Sequence, residues 1–444
     1  MSDALGALPQ SWDATRLDRV ATVNARIGWK ALTAAEYQPD GYAFLATPNI
    51  KSSEIDFANV NYISEFRFNE SPELKLQAGD VLLAKDGSTL GIVNIVRRVP
   101  RPATVNGSIA VLRSFGMEPR FLRYVIQSTF IQGHIGAVKD GMGVPHLFQR
   151  DIKRFPLPSP PLAEQHRIAD FLDAETARLD QLVELRSRTL ALLVEQTVSR
   201  MDVAVRGGAV HGEKRPSEYE PLGQVPSSWR QGRLRSVDCD VQTGPFGSQL
   251  HAEDYVDNAW PIVNPANITP AGLVADSQVT VSDEVRARLD RHILRTGDVI
   301  FGRRGELGRA GIVTENEEGW VCGTGSLRVR FAEGSFHPAY LRRYLSIPAV
   351  RHYFQLEAIG STMPNLNSGI LLNMPLLLPK LSEQAEIASQ CNEIERQATQ
   401  HRLLVERQVQ LLRERSRSLV TAAVTGQFDV STASGRNVTD GVPA

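Results

Sequence analysis

The chain repeats itself over a long period, and that repeat constrains its fold more than any other feature. Leu8-Pro9-Gln10-Ser11-Trp12 returns as Val225-Pro226-Ser227-Ser228-Trp229, 217 residues later. Tyr42-Ala-Phe-Leu-Ala-Thr-Pro-Asn49-Ile50 returns as Trp260-Pro-Ile-Val-Asn-Pro-Ala-Asn267-Ile268, offset 218. Gly79-Asp80-Val81-Leu82 and Gly107-Ser108 match Gly297-Asp298-Val299-Ile300 and Gly325-Ser326 at the same 218. Pro145, Leu147, Pro156 and Pro160 match Pro364, Leu366, Pro375 and Pro379 at 219. Leu162, Glu164, Gln165, Ile168 and Ala169 match Leu381, Glu383, Gln384, Ile387 and Ala388, again at 219. An ordered series at a nearly constant offset implies a duplicated unit of about 218 residues.

Each copy has two parts. Up to about Pro158, short β-rich runs such as Val81 to Leu83 and Ile92 to Val96 alternate with Gly, Asp and Asn turns. One helix is expected near Pro119 to Gln132, giving a compact α+β globule. The prolines of Phe155-Pro-Leu-Pro-Ser-Pro-Pro-Leu162 predict an extended lead-in. Ala163 to Val205 then lacks Gly and Pro and carries Ile168, Leu172, Leu179, Leu182 and Leu193 in three- and four-residue steps. Ser382 to Thr425 does the same with Ile387, Ile394, Val405, Val409 and Leu412.

A helix of about 40 residues is about 60 Å long, more than one globule can bury. Two copies in one chain predict an antiparallel coiled coil carrying two globules in a pseudo-two-fold arrangement. Thr189, His401 and Gln408 interrupt the stripe, leaving surface for a third element or another subunit. The expected boundaries are a globule over 1–157, a helix over 158–208, a linker over 209–222, a second globule over 223–377, a second helix over 378–428 and a flexible tail over 429–444.

Composition adds limits. The 42% apolar and 22% charged content belongs to an ordinary folded protein. The formal charge of −1 gives no electrostatic argument for a nucleic acid or an anionic membrane. Of 49 basic residues, 41 are Arg, the fork-shaped donor for phosphates and guanine edges, although a GC-rich genome gives the same skew. Cys239, Cys322 and Cys391 form no CxxC pair, which fits a reducing cytoplasm. No run of about 18 apolar residues predicts a membrane span.

No P-loop occurs, and Ser159-Pro160-Pro161-Leu162 lacks the Asn or Asp and the stacking ring of an amino-methyltransferase motif. HExxH and GxSxG are also missing. Gly302-Arg-Arg-Gly-Glu-Leu-Gly-Arg-Ala-Gly311 leads into the strand-like Ile312-Val313 where a phosphate cradle needs a helix, so it reads as a hairpin whose glycines supply positive φ. Its repeat partner Lys85-Asp-Gly-Ser-Thr-Leu-Gly91 reads as the same polar tip. The chain is expected to be no enzyme, with no cofactor of its own.

The segment Phe155 to Leu172 resembles the opening of the helical region in specificity subunits of type I restriction-modification systems. Leu419-Val-Thr-Ala-Ala-Val-Thr-Gly-Gln-Phe-Asp-Val430 resembles the ending of that family's second helix. Asn24-Ala-Arg-Ile-Gly-Trp-Lys30 and Gln242-Thr-Gly-Pro-Phe-Gly-Ser248 are similar to openings of its target-recognition domains. The resemblance implies a DNA-reading subunit in which each globule reads half of a bipartite site and the helices set the spacing. It also implies partners: two methyltransferase subunits with S-adenosylmethionine, and motor-nuclease subunits with ATP and Mg. The globules differ, so the site is expected to be asymmetric.

Candidate DNA contacts follow from side-chain chemistry. They are Arg26, Lys30, Lys85, Ser88 and Asn106 in the first globule, and Gln242, Thr243, Ser248, Arg303, Arg304 and Thr324 in the second. Asn49 and Asn267, and Trp12 and Trp229, recur in both copies and are therefore read as fold elements. The alternative reading is a coiled-coil scaffold with two peptide-binding domains and no nucleic-acid partner.

Overall fold

The computed structural model describes residues 8–26, 32–51, 54–139, 145–269, 271–358 and 365–432. The expected tail from 433 onward lies outside them. The chain divides into two compact units, residues 1–187 with 406–444, and residues 188–405.

The first unit contains Asp13–Arg16 (β1), Ala21–Ala25 (β2), Tyr42–Leu45 (β3), Asn61–Ile63 (β4), Val81–Ala84 (β5), Val93–Ile95 (β6), Ala103–Val105 (β7), Ile109–Ser114 (β8) and Pro156–Ser159 (β9). A four-stranded antiparallel sheet runs β2-β8-β5-β6, and a three-stranded sheet runs β4-β3-β7. Side chains alternate across β5, so Val81 and Leu83 join one core while Leu82 and Ala84 join another. The first core takes in Phe121 and Leu122 of the helix Pro119–Gln127, and the second takes in Leu45 and Val105 of the smaller sheet.

Two expectations change here. The helix near 119–132 is two helices, Pro119–Gln127 and Thr129–Val138. Ser128 between them has extended ψ, and its Oγ accepts the Ile131 N–H at 3.4 Å, an N-cap that starts a new helix. The proline-rich lead-in is also a strand: β9 pairs antiparallel with β1 in a two-stranded sheet, where missing N–H groups are tolerated.

The second unit contains Lys214–Pro216 (β10), Gln224–Pro226 (β11), Arg230–Arg233 (β12), Cys239–Thr243 (β13), Tyr255–Val256 (β14), Trp260–Val263 (β15), Ile268–Thr269 (β16), Gly272–Leu273 (β17), Thr280–Val281 (β18), Val299–Gly302 (β19), Ala310–Ile312 (β20), Val321–Cys322 (β21), Ser326–Phe331 (β22) and Pro375–Leu378 (β23). Its main sheet, β13-β22-β19-β20, has the order of β2-β8-β5-β6, and β12-β23 repeats β1-β9. Parallel pairing of β15 with β21 repeats that of β3 with β7. The segment read as a linker carries β10 paired with β11, and Leu222 is buried.

The repeated residues make repeated contacts. Asp80 accepts Arg113 Nε at 2.7 Å and the Gln77 N–H at 2.8 Å; Asp298 accepts Arg330 Nε at 2.7 Å and the Arg295 N–H at 2.8 Å. Asn49 Oδ1 accepts the Ala46 N–H at 2.8 Å, and Asn267 Oδ1 accepts the Asn264 N–H at 2.9 Å. Both asparagines close one-turn helices, a fold role. Trp12 and Trp229 lie in the two helix-facing cores.

The long helices are Leu162–Val205 and Leu381–Val424, 44 residues each. Buried Gln165 fastens the first at its start: its Nε2 donates to Pro160 O at 2.8 Å and its Oε1 accepts the Glu118 N–H at 2.9 Å. Gln384 does the same with Pro379 O at 3.0 Å and the His337 N–H at 2.9 Å. In the first unit Ile168, Ala169 and Leu172 share a core with Leu419, Val420, Ala423 and Val424. In the second, Met201, Ala204 and Val205 share one with Ile387, Cys391 and Ile394. The start of each helix thus packs beside the end of the other, so the pair is antiparallel. Midway along the helices the stripe opens: Leu185, Leu192 and Leu404 are 57%, 63% and 62% exposed. Among the described residues no helix is long and apolar enough to cross a membrane.

Each long helix ends on a glycine with positive φ pressed against the tryptophan motif. A Cβ on Gly207 (φ +78°) would meet Pro226 Cγ at 2.5 Å and Trp229 Cη2 at 2.8 Å. A Cβ on Gly426 (φ +73°) would meet Pro9 Cγ at 2.5 Å. Gly207→Ala and Gly426→Ala should each destabilise the protein by about 1–3 kcal/mol, through backbone strain and overpacking. Denaturant unfolding reads the loss, and unchanged midpoints would refute the packing.

Candidate nucleic-acid interface

Antiparallel pairing brings the exits of β2 and β5 and the entry of β8 to one end of the first main sheet, since Ala25 faces Ala110 and Ala84 faces Ile109. Arg26, Lys85 and Asn106, far apart in sequence, therefore stand near one another. The same geometry in the second unit, with Thr243 opposite Leu327 and Gly302 opposite Ser326, gathers Gln242, Thr243, Arg303 and Thr324. Most of the candidate contacts thus fall on the corresponding end of each sheet. Lys30 lies outside the described residues.

These pairings also correct one repeat match. The Lys85 N–H donates to Ser108 O at 2.8 Å, and the Arg303 N–H donates to Gly325 O at 2.9 Å. Ser108 therefore corresponds to Gly325, an offset of 217, and the Gly-Ser identity at 218 is out of register.

The candidate residues differ in what they can do. Ser88, Ser248, Arg304 and Thr324 are exposed. Asn106 Oδ1 accepts the Ser108 N–H at 3.1 Å and Gln242 Nε2 donates to Thr243 O at 3.0 Å, so both side chains lie against nearby backbone. Arg303 Nε donates to Leu366 O at 3.1 Å. Lys85 is buried, with Nζ 3.1 Å from Asp86 Oδ2, and Asp86 also meets His146 Nδ1.

A cavity of about 610 Å³ opens beside this end of the first sheet, lined by Arg26, Lys85, Asp86, His146, Phe148 and Arg150 among others. Arg26 is only 6% exposed. Its Nε makes one long contact, 3.5 Å to Val105 O, its guanidinium stacks 5.7 Å from the Phe44 ring centre, and Nη1 and Nη2 have no hydrogen-bond partner. Burial, with Arg67 adding repulsion, holds its pKa below the ordinary arginine value. No residue of this type replaces it in the second unit: at Gly244 a Cβ would meet Gly323 O at 1.8 Å.

The second unit instead buries Arg328, on β22, with Nε and Nη1 lacking partners and Nη2 paired to Asp240. Val111 holds the corresponding place in the first unit. Buried His292 lies nearby, and burial followed by the Arg328 charge depresses its pKa. Arg328 and His292 were not singled out by sequence reasoning, because nothing local marks a charge destined for a core; nor were His146, Phe148, Gln149 and Arg150, which only the fold brings to this end of the sheet. Among the described residues no cluster of His, Cys, Asp and Glu could hold a metal.

Two outcomes follow from these burials. Arg26→Met keeps an apolar stem against Phe44 and removes two unsatisfied donor nitrogens, so stability should rise by about 1–3 kcal/mol; a lower unfolding midpoint would contradict the burial. His292 has a folded pKa below its ordinary 6.5. The unfolded chain therefore binds a proton that the folded one resists, and stability falls as pH drops below 6.5. His292→Gln should flatten that acid slope in denaturant titrations, and an identical slope would exclude this origin.

A family model described as the type I restriction modification DNA specificity domain matches residues 9–190 and 226–404, one match per copy of the repeat. The chain is 23% identical over 402 residues to the type I restriction enzyme EcoKI specificity subunit of Escherichia coli, covering 88% of this chain and 83% of that one. It is 21% identical over 401 residues to the MjaVIII specificity subunit of Methanocaldococcus jannaschii, covering 87% of each. A solved structure from work on complex assembly and conformational transition of the type I R-M system superposes with TM-score 0.72 at 21% identity, over 95% of this chain and 100% of that one. The HsdS subunit from Thermoanaerobacter tengcongensis superposes with TM-score 0.57 at 20% identity, over 96% and 100%.

Proposed function

The chain belongs to the type I restriction modification DNA specificity family, and from that premise we propose that it is the DNA-reading subunit of a type I restriction-modification complex. The observation that carries this is the coincidence of the two family matches, 9–190 and 226–404, with the two copies of the repeat. The globules over 1–157 and 223–377 each read one half of a bipartite, asymmetric site on double-stranded DNA. The regions over 158–208 and 378–428, which hold the helices Leu162–Val205 and Leu381–Val424, set the spacing and bind two methyltransferase subunits, and motor-nuclease subunits complete the complex in the cytoplasm. The chain is the non-catalytic member. S-adenosylmethionine belongs to the methyltransferase partners, ATP and Mg to the motor-nuclease partners.

Physical arguments support the division of labour. Phosphate contacts position a protein and base contacts specify, and both need donors on a rigid support. Ser88, Arg304 and Thr324 are exposed near the sheet ends and can reach a groove. Arg26 and Lys85 reach DNA only if their side chains leave the positions described above. The exposed Leu185, Leu192 and Leu404 give the helix pair an apolar surface suited to partner subunits.

With its methyltransferase partner, the chain should protect one discontinuous duplex site, and affinity should fall steeply with salt as counterions are released. Binding indifferent to sequence would refute the reading. Inserting four residues after Leu182, about one helical turn, should change the spacing between half-sites and leave both half-sites intact. Altered half-sites would mean that the helices do more than space the readers.

A further inference from the structure

The segment from His146 to Arg150 combines an anchor shared by both units with side chains that differ between them. The Leu147 N–H donates to Lys85 O at 2.9 Å, and the Leu366 N–H donates to Arg303 O at 2.8 Å. Leu147 and Leu366 are fully buried. The residues flanking that anchor within the segment differ: His146, Phe148, Gln149 and Arg150 stand where the second unit has Asn365, Asn367, Ser368 and Gly369. Common architecture with divergent presentation is what two domains reading different sequences require.

The first unit's choice at this segment also works against local stability. Asn367 caps the helix Ser368–Asn373, its Oδ1 accepting the Ile370 N–H at 2.9 Å. Phe148, in the corresponding N-cap place before Gln149–Ile152, offers no cap and leaves its ring 39% exposed. That ring instead organises its neighbours. The His146 ring packs edge-on at 4.6 Å between centroids, and the Arg150 guanidinium lies 4.7 Å from the Phe148 ring centre. Gln149 Nε2 donates to Ala25 O at 3.2 Å, fastening the segment to the exit of β2. Arg150 keeps 71% of its side chain exposed, with Asp151 Oδ1 its one ion-pair partner among the described residues, at 3.6 Å. It is a donor fork held in advance by stacking, with its hydrogen-bonding edge open.

We propose that His146–Arg150 sets the base preference of the first half-site, with Arg150 donating to a guanine edge and Phe148 holding it in position. This rests on the DNA-reading function proposed above. A guanine offers O6 and N7 acceptors to such a fork in the major groove. The second unit offers no counterpart of Arg150, because Gly369 at that place has no side chain.

The test uses the full chain assembled with its methyltransferase partner and a library of randomised duplexes, sequenced after binding. Arg150→Ala should lower discrimination at one guanine-containing base pair of the first half-site by about 10- to 100-fold, and Arg150→Lys should retain part of it. Phe148→Asn should weaken the same position. The second half-site and the spacing should be unchanged in every variant, which also reports that the chain is folded. A first half-site unaltered in Arg150→Ala would overturn the proposal. So would a loss of affinity equal for all sequences with a salt slope lower by about one, the mark of a phosphate contact. Absence of any bipartite site with the unsubstituted chain would overturn the DNA-reading function and this inference together.

Discussion

A 44-residue helix cannot shield its own apolar stripe, and everything else in this protein is arranged around that fact. Each long helix sends residues near its start into one core and residues near its end into another, while leucines midway along it stay exposed. Gln165 and Gln384 add a directional constraint, because each joins a helix start to the backbone of its own unit at two points. A buried amide with both ends satisfied tolerates little rotation. The sheet of each unit is thereby referenced to the axis of the helix that starts beneath it.

The duplication separates fold from function within one molecule. Asp80 with Arg113, Asp298 with Arg330, and the paired asparagines and tryptophans make the same bonds twice, and those positions build the globule. The sheet ends are where the copies part. Arg26 gives way to Gly244, Val111 to Arg328, Phe148 to Asn367 and Arg150 to Gly369. Both units bury a guanidinium with unsatisfied nitrogens, yet take it from different places, one just past β2 and the other on β22. A core optimised only for stability would hold neither, and loss of stability at a working surface is a familiar cost of function.

Much of the architecture was legible because it rests on periodicity. The Gly- and Pro-free runs 163–205 and 382–425 end within one residue of the long helices, whereas the wider expected boundaries, 158–208 and 378–428, run three or four residues past them at each end. The break at Ser128 was missed because its cap depends on backbone direction, and serine is also an acceptable helix residue. The slip from 218 to 217 before β8 was hidden by a chance Gly-Ser identity that only hydrogen-bond register could expose. For the interface, chemistry chose residues that antiparallel pairing does gather at the sheet ends. It could not foresee that Arg26 and Lys85 would be buried, since burial depends on what packs over a side chain from elsewhere in the chain. Arg150 was passed over for the opposite reason: its setting is made by Phe148, an apolar neighbour that a search for polar readers does not weigh.

The glycine closures carry a topological consequence. Gly207 ends the first helix against Pro226 and Trp229, and Gly426 ends the second against Pro9 and Trp12. Each helix therefore hands over to a proline-tryptophan element in the same way, although one handover is covalently continuous and the other joins residues more than 400 positions apart in the chain. Within each unit the closure is therefore the same in kind, and it does not depend on the chain being continuous across it: the packing of a glycine against a proline and a tryptophan does once between near neighbours what it does once between distant segments.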